Sequence, residues 1–211
     1  MERGLISTED VKRYFLLANK GKGLFVNPPN SKDLEEAYKR TFDEIFSLST
    51  EGLNELITDK TRLARYDSFN WSYGLVSLGD IGPWPKMSSL DVRLTTGNIL
   101  DTSEDIRKVE CGELALPYTD IGEKEKRTNA FKRFLEKSRS IRDKLDFVYE
   151  RFPIVLFPGG EVRENDYNVW ARENNSPLCK IFGHDLDDGN NRVVSYALEG
   201  IIKVPCFYVK A

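Results

Sequence analysis

Apolar residues in the first third of the chain recur at helical spacing. Val11, Tyr14, Phe15 and Ala18 share one face of a helix that starts after Ser7 and ends at "NKGKG" (19–23). Ser7 suits the N-cap, with Asp10 three residues on and Ile6 and Val11 at the flanking apolar positions. Beyond the turn "VNPPN", a second helix begins at Asn30 or Ser31 and carries Leu34, Tyr38, Phe42, Ile45 and Phe46. After a break near "SLST", Leu53, Leu56, Ile57 and Leu63 continue as a shorter third helix. From Ser68 the period changes to two. Phe69, Trp71, Tyr73 and Leu75 share one side of a strand, "GDIGPWP" is a loop, and Leu90, Val92 and Leu94 point one way from the next strand. Val109–Leu116 reads as a further strand. Residues 121–150 read as one long charged helix halted before Pro153, and Ile154–Phe157 as a short buried strand closed by "PGG". "CKIF" (179–182) and "RVVSYAL" (192–198) read as strands around the loop "GHDLDDGNN". "IIKVPCFYV" (201–209) is the last strand, with Pro205 pointing to an edge or a bulge.

Helices and strands are grouped rather than strictly alternating. That predicts a single α+β domain over 1–211: a helical part, 1–66, then a central, mainly antiparallel sheet with the long helix, 67–211. The composition, 40% hydrophobic and 11% aromatic, supports a real core. A net charge of −3 argues against wholesale polyanion binding, so any nucleic-acid contact is expected as a local patch. Cys111, Cys179 and Cys206 are widely spaced without CxxC, which fits a reducing compartment. With no apolar leader and no run long enough to span a bilayer, the expectation is a cytoplasmic protein without a membrane partner.

Charge is segregated within that total. Residues 120–151 hold ten basic and seven acidic residues, net +3, which leaves −6 for the rest. On a helix at 100° per residue, Lys126, Arg133, Lys137 and Lys144 fall within about 20° of a common line, a basic stripe roughly 27 Å long. Such a stripe is either a solvated helix face, a ridge that contacts phosphates, or a dock for an acidic protein.

Candidate chemistry is sparse. Asp91 followed by Glu110 or Glu113 resembles the acid spacing of nuclease cores of the PD-(D/E)XK kind, where two acids hold Mg²⁺ over a phosphodiester. The lysine of that pattern is missing, since "ECG" and "ELA" stand in its place, and an ion pair between Asp91 and Arg93 is the structural alternative. "GHDLDDGNN" holds the only histidine. It fails the calcium-loop offsets, because Asn190 and Tyr196 stand at positions six and twelve counted from Asp185. It reads as a solvated hairpin turn around Asp188–Gly189, with His184 and Asp187 as a catalytic pair if the loop is functional. A Cys3His zinc set of Cys111, Cys179, His184 and Cys206 matches no known finger spacing. Residues 157–175 resemble a fragment of the Nudix pyrophosphatase motif, with Glu164 eight before Arg172. The motif's glycine falls on Pro158 and its acidic pair on Ser176 and Pro177, so the resemblance implies no such activity. "NKGKGLF" lacks phosphate-loop spacing and is better read as a helix end at Gly21.

These readings converge on a protein acting on nucleic acid or nucleotides, in its sharpest form a Mg²⁺-assisted phosphodiester hydrolase with Asp91, Glu110 and Glu113 as ligands. The rival is a non-catalytic protein whose basic helix docks an acidic partner.

Overall fold

The computed structural model describes residues 4–26, 31–85, 94–115 and 121–209, with the backbone alone for 25–26, 31–32 and 121–127. Among the described residues six strands form one sheet in the order β1-β2-β6-β4-β5-β3. They are β1 (Leu5–Ile6), β2 (Trp71–Ser77), β3 (Ile81–Gly82), β4 (Ile154–Pro158), β5 (His184–Asp188) and β6 (Lys203–Val209). The fold is α+β, but the sheet is mixed. β1–β2, β2–β6 and β4–β5 pair antiparallel, whereas β4–β6 and β3–β5 pair parallel.

The continuous apolar run of β4 explains this arrangement. A strand covered on both faces needs no polar alternation. Ile154 and Leu156 pack into one core with Leu186, Val204 and Cys206, while Val155 and Phe157 enter a second core with Trp71, Phe207 and Val209. Helices cover both faces. To the first core α7 (Ile121–Arg142), α8 (Leu145–Arg151) and α10 (Asn190–Leu198) bring Ile141, Val148, Val193 and Tyr196. To the second α1 (Thr8–Lys20), α4 (Thr50–Leu56) and α5 (Lys60–Ser68) bring Val11, Phe15, Leu53 and Tyr66. The short α2 (Lys22–Val26) follows α1 directly, α3 (Ser31–Phe46) adds Ile45 to the second core, and the short α9 (Val169–Glu173) lies between β4 and β5 in the chain.

The N-terminal helices form as their caps suggest. The Ser7 hydroxyl accepts from Asp10 N at 3.0 Å. The expected third helix is two, because Asp59 accepts from Arg62 N at 3.0 Å and starts α5 afresh. Further along, several expectations fail. Residues 109–110 end a helix, α6 (Ile99–Glu110), that begins at a reciprocal cap between Asn98 and Asp101. Residues 179–182 form no strand. The long helix over 121–150 breaks, since α7 stops at Arg142 and Lys144 sits at φ −134° ahead of α8. "RVVSYAL" is helical: Val193, Val194, Tyr196 and Ala197 are all buried, which a helix packed on more than one side allows. Pro205 is not on an edge strand. β6 lies between β2 and β4, and Pro205 sits one residue before the β4 pairing begins at Cys206. The strand expected at Leu90 and Val92 lies outside the described residues.

Arg163 fastens the loops around β3 and β5. It lies in a π-helical turn (Arg163–Asn168) after β4, fully buried. Its guanidinium donates to the carbonyls of Pro83, Thr95, Thr96, Gly97 and Lys180 at 2.8–3.3 Å. Gly82 admits it, because a Cβ there would meet Arg163 Nε at 2.2 Å.

Candidate functional site

The segment His184–Asp188 is strand β5, not a solvated turn, and Asp185 and Asp187 are buried. Aspartate favours turns because its short side chain competes for local backbone donors. Here distant groups take that role. Asp185 accepts from the backbone N–H of Val162 and Arg163 at 2.8 and 3.0 Å. Asp187 accepts from Arg62 Nε at 2.9 Å and from the Tyr66 hydroxyl at 2.5 Å. Burial raises the Asp187 carboxyl, with Arg62 and Tyr66 opposing, and it raises the fully enclosed Tyr66 phenol as well. Asp188 pairs with Arg192, whose guanidinium also donates to the carbonyls of Phe152 and Pro153.

His184 and Asp187 do not form a pair. Three positions apart on a strand, they point to opposite faces. His184 stands edge-on to Tyr208, with ring centroids 5.9 Å apart, and its Nδ1 is buried without a partner among the described residues. Burial lowers its pKa, against the pull of Asp80 and Asp185.

After Asp188 the chain turns through Gly189 at φ +112° directly into α10. A side chain there is excluded twice: the backbone is left-handed, and a Cβ would lie 2.5 Å from Ile154 Cγ2. Helix α10 therefore begins where β5 ends, and among the described residues no side chain caps its first turn. This junction forms one wall of a cleft of about 280 Å³, whose other walls include Ala18 of α1, Lys22 of α2, and Lys137 and Ile141 of α7.

The charges of the cleft do not cancel. Asp187 is matched by Arg62, and Asp188 by Arg192. Lys22 donates to the Asn19 amide oxygen, and neither it nor Lys137 has a carboxylate within ion-pair distance among the described residues. What remains is two ammonium groups and the uncapped N–H groups of α10, which carry partial positive charge. Such a lining favours an anion.

Of the residues expected from the sequence, the cleft brings Asp187 and Lys137 together. Arg133, one turn earlier on α7, is exposed but not part of the lining. Lys144 falls off the stripe because α7 has ended, and the side chain of Lys126 lies outside the described residues. Glu110 is ion-paired with Arg139 at 3.3 Å. Arg139 is about 200° around α7 from Lys137, so this glutamate meets the helix away from the cleft. Glu113 is exposed in the turn after α6, and Asp91 lies outside the described residues. Among the described residues no group of three or more His, Cys, Asp or Glu side chains is placed to hold a metal, so the four-residue zinc set is not assembled. Cys206 and Cys179 instead donate to the Gly74 and Thr95 carbonyls. Glu164 and Arg172, eight apart in sequence, form an ion pair at 2.8 Å.

Sequence reasoning missed Lys22, Arg62, Tyr66, Arg163 and Arg192. One local signal was readable: a glycine followed by a polar pair and then an apolar run, "GNNRVV", suits a strand that turns at once into a helix. Among the described residues no helix is long and apolar enough to cross a membrane. No family model, no curated protein and no solved structure matches the chain.

Proposed function

We propose that the protein binds a phosphate-bearing ligand of nucleotide size in the cleft between the β5–α10 junction, α2 and α7. The observation that carries this reading is the imbalance of the lining: each aspartate has its own arginine, while Lys22, Lys137 and the first N–H groups of α10 have no carboxylate partner among the described residues. Oriented backbone N–H groups at a helix start, joined by flexible ammonium groups from other elements, suit the several oxygens of a phosphate. A cleft of about 280 Å³ is at the small end for ligand sites and favours a mononucleotide over a duplex. The break after Arg142 supports the same choice, since it removes the continuous ridge a duplex would follow.

Calorimetric titration with nucleoside 5′-monophosphates tests the reading. Lys137→Gln and Lys22→Gln should each weaken binding about tenfold, the scale of one lost charge-assisted hydrogen bond, with thermal stability nearly unchanged. Wild-type protein that binds neither nucleotides nor inorganic phosphate would remove it. Binding of an acidic protein, undiminished in Lys22→Gln, would install the docking function in its place.

A further inference from the structure

A phosphate alone leaves part of this cleft unsatisfied. Asp188 lines it, and one carboxylate oxygen is committed to Arg192. The other accepts no hydrogen bond among the described residues. Asn191, on the same wall, has its Oδ1 buried with no partner among the described residues. Asp187 differs, because Arg62 takes one of its oxygens and Tyr66 the other. So the lining has two sides. Lys22, Lys137 and the α10 N–H groups donate, whereas Asp188 presents an open acceptor. A fully deprotonated phosphate fits the first side and is repelled by the second.

Resting on the phosphate reading above, we infer that the ligand is a ribonucleotide, and that a ribose hydroxyl donates to the free oxygen of Asp188. A carboxylate is a strong acceptor for a sugar hydroxyl, since a charged partner roughly doubles the strength of the bond. Deoxyribose lacks one donor, so the site then loses a charge-assisted hydrogen bond, which discriminates more sharply than a lost apolar contact. Asp188 also lies directly before the turn into α10, so the two sides of the lining are separated by little more than Gly189. One small molecule therefore reaches both.

The test compares inorganic phosphate with adenosine, guanosine, cytidine and uridine 5′-monophosphates, and with their 2′-deoxy and 3′-deoxy forms, by calorimetry on the full chain. At least one ribonucleotide should bind about tenfold to a hundredfold more tightly than one of its deoxy forms, the range for a hydrogen bond to a charged group. Asp188→Asn should reduce that ratio, because the amide N–H then presented to the hydroxyl makes a neutral bond about half as strong as the one to a carboxylate. Should that variant fail to fold, the comparison on the wild type decides alone. Equal affinities for ribo- and deoxyribonucleotides, with inorganic phosphate still bound, would overturn the ribose contact and leave the phosphate reading standing. No binding of any probe would bring both down. A discrimination that persists undiminished in folded Asp188→Asn would also overturn the assignment to Asp188.

Discussion

Replacing Arg163 by methionine probes how the loops beside the sheet are held. Methionine keeps most of the aliphatic length and removes the guanidinium. Five backbone carbonyls then lose a donor, and the bonds to Pro83 O and Thr95 O are buried, beyond the reach of water. Asp185, whose Oδ1 lies 3.6 Å from Arg163 Nε, loses its buried counter-charge. Each orphaned buried carbonyl costs about 1–3 kcal/mol, and removing one member of a buried ion pair about 3–5 kcal/mol. These penalties overlap, because the same charge makes every bond. A loss of about 3–5 kcal/mol is therefore expected, a large share of the roughly 5–15 kcal/mol that stabilises a domain. For a chain of this length that corresponds to a fall in Tm of about 6–20 °C. Urea unfolding followed by circular dichroism, with calorimetry for Tm, measures it. A loss below about 1 kcal/mol would show that the segments at 83, 95–97 and 180 hold their places without the arginine.

Three further outcomes follow from named contacts. His184 has a folded pKa below its ordinary 6.5 because it is buried, so the unfolded chain binds more protons between the two values. Stability should therefore be fully present above about pH 6.5 and fall as pH drops through the folded value; urea midpoints across this range should lose that component in His184→Gln, and an unchanged profile would contradict the burial. Gly189→Ala forces a strained backbone and a clash with Ile154, so a loss of about 1–3 kcal/mol is expected together with weaker nucleotide binding. Asn98→Ala removes the cap of α6 and should cost about 1 kcal/mol, read by thermal unfolding, without altering ligand affinity.

What was legible in the sequence was local. Ser7 as a cap, the apolar stripe of α3 and the unbroken run of β4 depend on neighbours within a few residues, and the pattern shows them directly. Helix α10 has a strand-like pattern, because Val193, Val194 and Tyr196 favour strands when half-buried, and nothing local shows that α7 packs on one side and the sheet on the other. Asp187 looked like a turn residue. The groups that make it a buried strand residue, Tyr66 and Arg62, lie 121 and 125 positions away. Helix α6 is a different case: the reciprocal pair Asn98 and Asp101 marks its start at the right spacing, while the β-branched Val109 gives its last turn a strand-like pattern. In the cleft the charge excess on α7 was readable and led to Lys137, whereas Lys22 stood among residues read as a helix stop.

The place of β6 in the sheet also bears on how the chain is made. β2 has only the two-residue β1 beside it until β6 arrives, and Cys206 meets Gly74 across a separation of 132 residues. At about 5–20 residues per second, a ribosome needs roughly 7–26 s to deliver that partner. Throughout this interval the apolar faces of α1, α4 and α5 lack Phe207 and Val209, which β6 brings to their core. Nascent chains arrested shortly before Lys203 should accordingly bind chaperones and be cleaved readily by protease, and chains arrested once β6 has cleared the exit tunnel should not.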